Sequence, residues 1–281
     1  MQLIDGKWLS DNIKSEIKSA VEALRQEGGK TPHLAAVLVG NNPASEAYVA
    51  NKIKSCEQVG FKSTLIRQDV DVSEAALLEI VAQLNNDPDV DGFIVQLPLP
   101  KHIDETRVNL AIDPKKDVDG FHPVNFGRMT QGLPSYLPAT PYGVLEMLKR
   151  YQIETSGKKC VIVGRSNIVG TPLSILMSRK GIDATVTLAH SRTQDLAAVC
   201  READILIAAI GIAHFITADM VKPGAVVIDV GMNRIDDPSK KTGSRLVGDV
   251  DFEAAKENAG WITPVPGGVG PMTVATLMEN T

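Results

Sequence analysis

The sequence predicts an α/β protein with two α/β domains, and three observations support this fold class. Short apolar runs alternate with amphipathic segments over roughly the first hundred residues, which is the pattern of a parallel sheet covered by helices. The alternation breaks in residues 113–132, which are rich in proline, glycine and charge, and it resumes at Lys159. A chain of 281 residues that is 43% hydrophobic is long and apolar enough for two cores.

The first half of the chain contains the alternating elements of one sheet layer. The run LAAVLVG has the continuous hydrophobicity of a strand that is buried on both faces. The helix before it is amphipathic and ends at Gly28 and Gly29. Residues 113–132 are expected to be irregular, as functional segments often are. The predicted helices span residues 10–26, 45–59 and 73–84, and the predicted strands span residues 34–40, 63–67 and 93–97.

The second half opens on a strand, a glycine turn and a helix start at residues 160–172. The apolar strand is followed by Gly164, and Thr171 and Pro172 are expected as the N-cap and the first turn of the next helix. A helix start after a glycine loop binds phosphate on its backbone N–H groups. Ser166 replaces the second glycine of G-x-G-x-x-G, so the pattern alone leaves open a nucleotide site and an ordinary tight turn.

The elements after this turn have the length and order of a mononucleotide-binding fold, which predicts a Rossmann-type parallel sheet for the second domain. NAD-preferring folds place Asp or Glu after the second strand, whereas this chain has His190, Ser191 and Arg192, which favour the 2′-phosphate of NADP. A solvated loop arginine is the alternative for Arg192, and Asp195 is interpreted as a helix N-cap. The remaining predicted strands span residues 160–163, 185–189, 205–210 and 225–230, and the remaining predicted helices span residues 142–151, 173–180, 195–201 and 272–280.

Candidate catalytic residues lie in the first half of the chain. Tyr48 and Lys52 are four residues apart on one predicted helix and therefore share a face. A lysine beside a phenol could act as an acid–base pair if its pKa were lowered, and a solvated helix face is the alternative. Gln96 ends a buried strand, at the edge of a parallel sheet where ligands bind, although an amide that caps backbone groups gives the same pattern.

Two aspartates lie in the sequence KKDVDG. Asp117 and Asp119 have the spacing of ligands in some calcium loops, but the further oxygen ligands of such a site are missing. A turn in which Lys115 or Lys116 neutralises Asp117 is the alternative, and Asp119 could recognise an amino-bearing heterocycle through paired hydrogen bonds. The histidines and cysteines show no metal-ligand spacing, so no metal is expected. Ile168 replaces the glycine of G-x-S-x-G, which argues against a serine hydrolase.

Composition restricts the partners and the compartment. The net charge is −5 and the chain has no basic block, which argues against a nucleic-acid partner. The N-terminus has no basic and apolar leader, and no apolar run reaches the roughly 18 residues of a membrane helix. The three cysteines lie far apart, as is usual in a reducing compartment. A cytoplasmic protein without a membrane partner is therefore expected.

Five motifs occur in the order that is typical of one family. They are YVANK at 48–52, VQLPLP at 95–100, KDVDGF at 116–121, GRSNIVGTP at 164–172 and TPVPGGVGPMT at 263–273. The chain resembles the bifunctional methylenetetrahydrofolate dehydrogenase/cyclohydrolase family of bacteria along essentially its whole length. The resemblance implies that NADP⁺ oxidises 5,10-methylenetetrahydrofolate to the methenyl form, which is hydrolysed to 10-formyltetrahydrofolate in the same cleft between two domains. It also implies a homodimer that acts in one-carbon metabolism and purine biosynthesis.

The resemblance implies a role for each residue of the folate motifs. Lys52 is the catalytic lysine, needed most for water addition, and Gln96 hydrogen-bonds it and tunes its charge. Tyr48 stacks on the folate rings, and Asp119 anchors the pterin amino group. Bare backbone lets flat rings approach the folate site closely. The residues implied to line that site from the last motif are Pro266, Gly267 and Gly268.

The resemblance also assigns the cofactor side. Arg165 and Ser191 are directed toward the 2′-phosphate of NADP, and Met232 takes a position where the family often has isoleucine beside the nicotinamide. Together with the residues derived from the glycine turn, the candidate cofactor-binding residues are Gly164, Arg165, Ser166, Gly170, Ser191, Arg192 and Met232.

The expected folate-binding catalytic domain comprises residues 1–139 and 265–281, and the expected NADP-binding domain comprises residues 140–264. The last helix is expected to pack on the first domain. Two other functions stay open from the residues: a dehydrogenase of a small carboxylic or hydroxy acid, and a non-catalytic NADP-binding protein. The first would require a substrate-domain arginine, but Arg107 and Arg128 lie outside the catalytic motifs. The second would tolerate loss of the catalytic residues, which are present.

Overall fold

The computed structural model describes the whole chain except residues 241 and 242, and it divides into two compact α/β units. Each unit contains a parallel sheet, so the predicted fold class is confirmed, and each unit is named here by the number of strands in that sheet. The six-stranded unit comprises Met1–Ser10 and Thr140–Thr273, and the three-stranded unit comprises Asp11–Ala139 and Val274–Thr281.

Strands and helices alternate along most of the described chain. The strands are β1 (Gln2–Leu3), β2 (His33–Val39), β3 (Lys62–Gln68), β4 (Gly92–Val95), β5 (Lys159–Val163), β6 (Thr185–Ala189), β7 (Ile205–Ala208), β8 (Val226–Asp229), β9 (Asn233–Asp236), β10 (Ser244–Val247) and β11 (Trp261–Ile262). The helices are α1 (Gly6–Gln26), α2 (Pro43–Val59), α3 (Glu74–Asn86), α4 (Glu105–Ala111), α5 (Pro123–Thr130), α6 (Ala139–Arg150), α7 (Gly170–Ser178), α8 (Leu196–Arg201), α9 (Phe252–Ala255) and α10 (Val269–Asn280).

In the three-stranded unit, β2 lies between β3 and β4, and all its residues are buried. Side chains alternate across a strand, so β2 contributes to two cores. One core contains side chains of α1, α2 and α10, and the other contains side chains of α3 and α4. Coverage on both faces explains the uninterrupted apolar run of β2. Leu277 and Met278 of α10 belong to the first core, as was expected for the last helix.

In the six-stranded unit, the strands are parallel in the order β1–β11–β8–β7–β5–β6. The chain passes from β5 to β6 on one side of β5 and then to β7 on its other side. Such a reversal opens a crevice at the carboxyl ends of the strands, where parallel α/β sheets bind ligands. The core is built from the apolar side chains of the central strands, for example Val161, Leu206 and Val227. The predicted Rossmann-type sheet is therefore confirmed.

The boundaries of the two units differ from the expected division at both ends of the chain. Strand β1 aligns Gln2 with Trp261 of β11, so the first ten residues belong to the six-stranded unit. Residues 265–273 belong to that unit as well, and only Val274–Thr281 belongs to the three-stranded unit. A two-residue strand has no hydrophobic period, so its pairing could not be deduced from sequence.

Several helices depart from the sequence-based expectation. Helices α4 and α9 lie in segments for which no helix is predicted, and α5 and α1 differ as follows. The segment 113–132 is not irregular throughout, because it contains α5. Pro123 occupies the first helical position, where an N–H is not needed, and His122 Nδ1 caps the helix by accepting from the Val124 N–H at 3.1 Å. Helix α1 begins at Gly6, ahead of the predicted start at residue 10.

Three further properties bear on function. Among the described residues, no helix has the length and apolar character needed to cross a bilayer. Within the same part of the chain, no group of three or more His, Cys, Asp or Glu side chains is arranged to hold a metal ion. The cysteines are unpaired and buried, and burial raises the pKa of the Cys56 and Cys160 thiols to about 12, so neither is a nucleophile at neutral pH.

Candidate functional site

Lys52 and Gln96 meet at the carboxyl end of the three-stranded sheet. Lys52 lies on the buried face of α2, 8% exposed, and its Nζ donates a hydrogen bond to Gln96 Oε1 at 3.3 Å. Gln96 follows β4 directly, and its N–H donates to the Val37 carbonyl at 2.9 Å. Its Nε2 donates to the Leu97 carbonyl at 2.7 Å, which directs the amide oxygen toward the lysine. The contact between the two side chains is therefore present, while their roles stay predictions.

Tyr48 lies one helical turn before Lys52 on α2 and is 40% exposed. Partial burial raises the pKa of its phenol, so the hydroxyl keeps its proton at neutral pH. Asn42 fixes the start of the helix, because its Oδ1 accepts from the N–H groups of Ala44 and Ser45 at 2.9 and 3.2 Å. An exposed phenol ring is thus held one turn from a buried lysine.

Asp117 organises the turn that leads into α5. It is buried and accepts from the N–H groups of Phe121 and His122 at 3.2 and 2.7 Å and from Asn125 Nδ2 at 2.9 Å. Burial raises the pKa of Asp117, and these hydrogen bonds act in the opposite direction. The carboxylate is therefore satisfied by its own turn.

Asp119 has different surroundings from Asp117. The alternative in which Lys116 neutralises Asp117 is wrong, because Lys116 Nζ donates to two carbonyl oxygens at the end of α3, at 2.8 and 2.6 Å. Asp119 is partly exposed, whereas Asp117 is buried, and both border one cavity of about 20 Å³, which has room for about one water molecule. Of the two aspartates, Asp119 is therefore the one that a ligand can reach.

Main-chain atoms pack closely against the two glycines of the turn after β5. Gly164 has a φ of 123°, and a side chain on it would lie 2.8 Å from the Ala209 carbonyl carbon. A side chain on Gly170 would lie 2.6 Å from the Gly164 carbonyl carbon. The two glycines therefore let the strand, the turn and helix α7 close on one another. Residues 165–168 between them are exposed and available to a ligand.

The start of α7 differs from the prediction. The helix begins at Gly170, so Thr171 is its second residue and not its N-cap, and Val169 occupies the N-cap without a side-chain hydrogen bond. Ser166 Oγ accepts from the Val169 N–H at 3.2 Å, and Thr171 Oγ1 donates to the Arg165 carbonyl at 3.2 Å. The serine that replaces a glycine of the dinucleotide motif therefore stabilises the loop.

Ser191 and Arg192 are exposed in the turn after β6. The His190 N–H donates to Thr193 Oγ1 at 2.9 Å, and the Arg192 N–H donates to His190 Nδ1 at 3.1 Å. Asp195 caps α8 by accepting from an N–H group three residues on, at 3.2 Å, so its interpretation as an N-cap is confirmed. The turn offers a hydroxyl and a guanidinium where NAD-binding folds place a carboxylate.

The proline–glycine segment packs against the start of the chain within the six-stranded unit. A side chain on Gly6 would lie 2.6 Å from the Gly268 carbonyl carbon, and the N–H that follows Gly6 donates to the Gly267 carbonyl at 2.9 Å. Ser10 Oγ donates to the Pro271 carbonyl at 3.0 Å. Sequence reasoning missed Gly6 and Ser10, because a glycine or serine at the start of a helix is also an ordinary capping residue.

The candidate substrate-binding residues of the proline–glycine segment differ in how exposed they are. Pro266 is exposed, whereas Gly268 is buried, and Gly267 has a φ of 107°, which favours glycine. Met232 is 42% exposed after β8, and its Cε lies 3.1 Å from where a side chain on Gly270 would begin. Met232 and the proline–glycine segment are therefore brought together.

Two buried carboxylates of the six-stranded unit were also missed. Asp229 is 3% exposed and Asp249 is 0% exposed, and both accept backbone N–H groups. Burial raises the pKa of Asp229 to about 6, and the Asp249 charge adds to the rise, against the effect of backbone hydrogen bonds. The available signal was an aspartate at the end of a wholly apolar strand, VVID.

Two family profiles match the chain. The profile described as tetrahydrofolate dehydrogenase/cyclohydrolase, catalytic domain, matches residues 4–119, and the one described as its NAD(P)-binding domain matches residues 138–281. The bifunctional protein FolD of Bacteroides fragilis is 61% identical, over 100% of this chain and 97% of the relative. The bifunctional protein FolD of Cytophaga hutchinsonii is 60% identical, over 100% of this chain and 98% of the relative.

Solved structures of the same family resemble the chain over its whole length. The chain superposes on the bifunctional FolD methylenetetrahydrofolate dehydrogenase/cyclohydrolase of Campylobacter jejuni with a TM-score of 0.94 and 46% identity, covering 100% of this chain and 96% of the other. The Trypanosoma brucei dehydrogenase-cyclohydrolase, solved with NADP cofactor and an inhibitor, has a TM-score of 0.93 and 38% identity, covering 99% of this chain and 95% of the other. The likeness thus extends over both units.

Proposed function

The chain belongs to the tetrahydrofolate dehydrogenase/cyclohydrolase family, and from this premise we propose how its residues carry out two reactions. The enzyme oxidises 5,10-methylenetetrahydrofolate to 5,10-methenyltetrahydrofolate with NADP and hydrolyses the product to 10-formyltetrahydrofolate. The observation that carries the assignment of residues is the contact between the buried lysine, Lys52, and Gln96.

We assign the NADP site to the glycine turn after β5 and the turn after β6. NADP supplies the acceptor for the hydride that leaves the methylene carbon of the folate. Gly164 and Gly170 let the end of β5 and the start of α7 pack closely, which leaves the exposed turn between them for a dinucleotide whose pyrophosphate binds N–H groups at such a helix start. Arg165, Ser191 and Arg192 provide charge-assisted hydrogen bonds for the 2′-phosphate.

Two further residues complete the proposed cofactor site. Ser166 keeps the exposed loop in one conformation through its bond from the backbone of residue 169. Met232 borders the nicotinamide, because its exposed side chain follows β8 at the carboxyl edge of the sheet. Hydride transfer needs no general base, so these residues act by holding two rings in register.

Water addition is the step that needs a titratable group. The water oxygen bonds to the methenyl carbon and releases one proton, and we assign Lys52 Nζ to receive it. The bond from that carbon to N5 then breaks, the hydroxyl proton passes to N5, and the formyl group stays on N10. Gln96 Oε1 holds the lysine in place through the 3.3 Å hydrogen bond. The amide does this as a neutral hydrogen-bond acceptor, without placing a second charge beside the amine.

The remaining candidates bind the folate. Tyr48 offers an exposed ring for stacking one turn from the lysine, and its phenol stays protonated. Asp119 accepts hydrogen bonds from the pterin amino group, because it is the accessible aspartate of its motif. Bare backbone in the proline–glycine segment admits the flat rings. The residues assigned to that contact are Pro266, Gly267 and Gly268.

We also propose that the enzyme works as a homodimer in the cytoplasm. The family resemblance supports the dimer. The buried, unpaired cysteines support a reducing compartment, because oxidising compartments favour disulfides.

Replacement of Lys52 by methionine tests the assignment. The variant removes the amine and keeps most of the side-chain volume, and Lys54→Met on the same helix is the matched control, because Lys54 is exposed. We expect Lys52→Met to slow hydrolysis of methenyltetrahydrofolate by about 100-fold or more, the usual contribution of a general base, and to slow NADPH formation much less. Lys54→Met should retain both rates.

The two rates are measured separately, as loss of methenyl absorbance and as gain of NADPH absorbance. Unimpaired hydrolysis by Lys52→Met would remove this lysine from its assigned role. A folded wild-type protein that produced no NADPH from 5,10-methylenetetrahydrofolate and NADP⁺ would refute the function itself.

A further inference from the structure

Two carboxylates are buried next to each other in the six-stranded unit, and no step described above uses them. Asp229 ends β8, and Asp249 follows β10 with 0% of its surface exposed. Glycines make room for the pair, because a side chain on Gly231 would lie 2.5 Å from the Asp249 nitrogen and one on Gly248 would lie 2.5 Å from Asp229 Cγ. Burying two neighbouring carboxylates opposes folding, so stability alone does not explain them.

Asp249 holds the loop that follows β7. Its Oδ2 accepts from the N–H groups of Ile210 and Gly211 at 2.6 and 2.9 Å. At the other end of this loop, the N–H of Ile216 donates to the Asp249 carbonyl at 2.9 Å. The β7 loop, residues 210–216, is therefore tied to one aspartate at its beginning and at its end.

Asp229 connects this arrangement to the turn after β8. Its Oδ1 accepts from the N–H groups of Gly231 and Asp249 at 2.9 and 3.0 Å, and its Oδ2 accepts from the Val250 N–H at 2.9 Å. The turn that it holds carries the exposed Met232. The pair therefore fixes two adjacent loops relative to each other.

Both loops lie at the carboxyl edge where we place the cofactor. The Ala209 N–H donates to the Val163 carbonyl at 2.8 Å, so the β7 loop starts beside the turn at Gly164. Ile212 in the β7 loop is 51% exposed, and Met232 is 42% exposed. Apolar side chains on firmly held loops suit contact with a flat ring.

We propose that Asp249, supported by Asp229, is a positioning residue for the nicotinamide half of NADP. The pair holds both loops in their binding geometry before the cofactor arrives, which lowers the ordering cost of binding. Asp249 is a positioning residue and not a catalytic one, because its side chain is fully buried and its oxygens accept hydrogen bonds from Ile210, Gly211 and Asn233. The identity of the ligand rests on the proposed function.

Two substitutions separate positioning from general stability. Asp249→Ala removes every side-chain acceptor. Asp249→Asn keeps one oxygen for Ile210 and Gly211, and its amide nitrogen faces Asn233, whose own amide can turn to accept a hydrogen bond. We expect Asp249→Ala to raise the KM for NADP by about 10-fold or more, and Asp249→Asn to raise it by less than about three-fold.

Hydrolysis of methenyltetrahydrofolate, assayed without cofactor, is the internal reference for both variants. It should stay within about two-fold of wild type, because Lys52 and Gln96, the residues assigned to water addition, belong to the three-stranded unit. Three results would overturn the proposal. The first is an unchanged KM for NADP in folded Asp249→Ala, and the second is an equal loss of NADPH formation and methenyltetrahydrofolate hydrolysis in that variant. The third is a rise in the KM for NADP that is as large in Asp249→Asn as in Asp249→Ala.

Hydrogen exchange on the cofactor-free wild type gives a second test that does not depend on the folding of a variant. The amides of Ile210, Gly211 and Ile216 should exchange at least about 100-fold more slowly than in an unstructured chain, measured by NMR. Exchange at the unprotected rate would overturn the proposal. A wild type that binds NADP with these amides protected but makes no NADPH would refute the proposed function and support the positioning role.

Discussion

Replacing Gly6 by alanine should displace the proline–glycine segment that we place in the folate site. A β-carbon on Gly6 would lie 2.6 Å from the Gly268 carbonyl carbon and 3.1 Å from the Gly267 carbonyl oxygen. Ordinary van der Waals contact begins at 3.4 Å, so clearing the carbonyl carbon alone requires a separation of about 0.8 Å, which is 3.4 minus 2.6. The Gly268 carbonyl oxygen would lie closer still, so the two backbones must separate by more than this. Both partners are main chain, so no side-chain rotation can relieve the overlap.

The size of the functional effect follows from this displacement. A misplacement of about 1 Å in a positioning group costs about 100-fold in rate. We therefore expect kcat/KM for 5,10-methylenetetrahydrofolate to fall by about 30-fold or more, and hydrolysis of the methenyl product to fall by a similar factor, because both reactions use the same folate. The variant should also lose stability, because overpacking costs about 1–3 kcal/mol and the better helix propensity of alanine at the start of α1 offsets up to about 1 kcal/mol of this.

Gly127→Ala is the matched control for Gly6→Ala. Gly127 lies within α5, and a side chain on it would meet nothing within 4 Å. The control should keep both activities. The assay is steady-state kinetics of both reactions, with thermal unfolding of each variant followed by circular dichroism. If folded Gly6→Ala kept kcat/KM within about three-fold of wild type in both reactions, the steric reasoning would be wrong.

Two further expectations concern the six-stranded unit. Arg165→Ala should raise the KM for NADP by about 5- to 150-fold and that for NAD by less than about two-fold, since a charge-assisted hydrogen bond to the 2′-phosphate is worth about 1–3 kcal/mol. Arg179→Ala, at an exposed position after α7, is the control, and an equal effect on both cofactors would show that Arg165 does not recognise that phosphate. Burial, with the Asp249 charge adding to it, raises the pKa of Asp229 from 3.8 to about 6, so its contribution to stability is complete below about pH 4 and is lost as the pH rises to about 6. Relative to Asp229→Asn, wild type should lose about 3 kcal/mol of unfolding free energy between about pH 3 and pH 7 in urea titrations, at about 1.36 kcal/mol per pKa unit, and parallel curves for the two proteins would contradict the assignment.

Much of the parallel framework could be predicted, because a strand that is buried on both faces has an uninterrupted run of apolar residues. The β2 run is continuously apolar, and its residues are buried in the structure as expected. The same framework brings Lys52 and Gln96 together, because helix α2 follows β2 and β2 pairs with β4. Residues at the carboxyl ends of neighbouring parallel strands meet whatever their separation in sequence.

The features that sequence reasoning missed have weak local signals. Helix α5 contains a proline and a glycine that look like helix breakers, yet Pro123 is at the one position that tolerates it and His122 supplies the cap. Strand β1 has two residues, and only its pairing with β11 shows that it belongs to the six-stranded sheet. Threonine is a common N-cap residue, which is why the sequence predicts Thr171 in that position. The helix begins one residue earlier, at Gly170, which packs closely on Gly164.

The residues that support the binding loops are distant in sequence from those loops for a physical reason. A loop that offers its backbone and exposed side chains to a ligand has few groups left to stabilise itself. Other segments must therefore hold it: Ser10 bonds to Pro271 across 261 residues, and Asp249 accepts from Ile210 across 39. Each supporting residue looks like an ordinary turn or cap residue in sequence, so only the fold identifies it. Activity should therefore depend on Gly6 and Asp249, although we place neither in contact with folate or NADP.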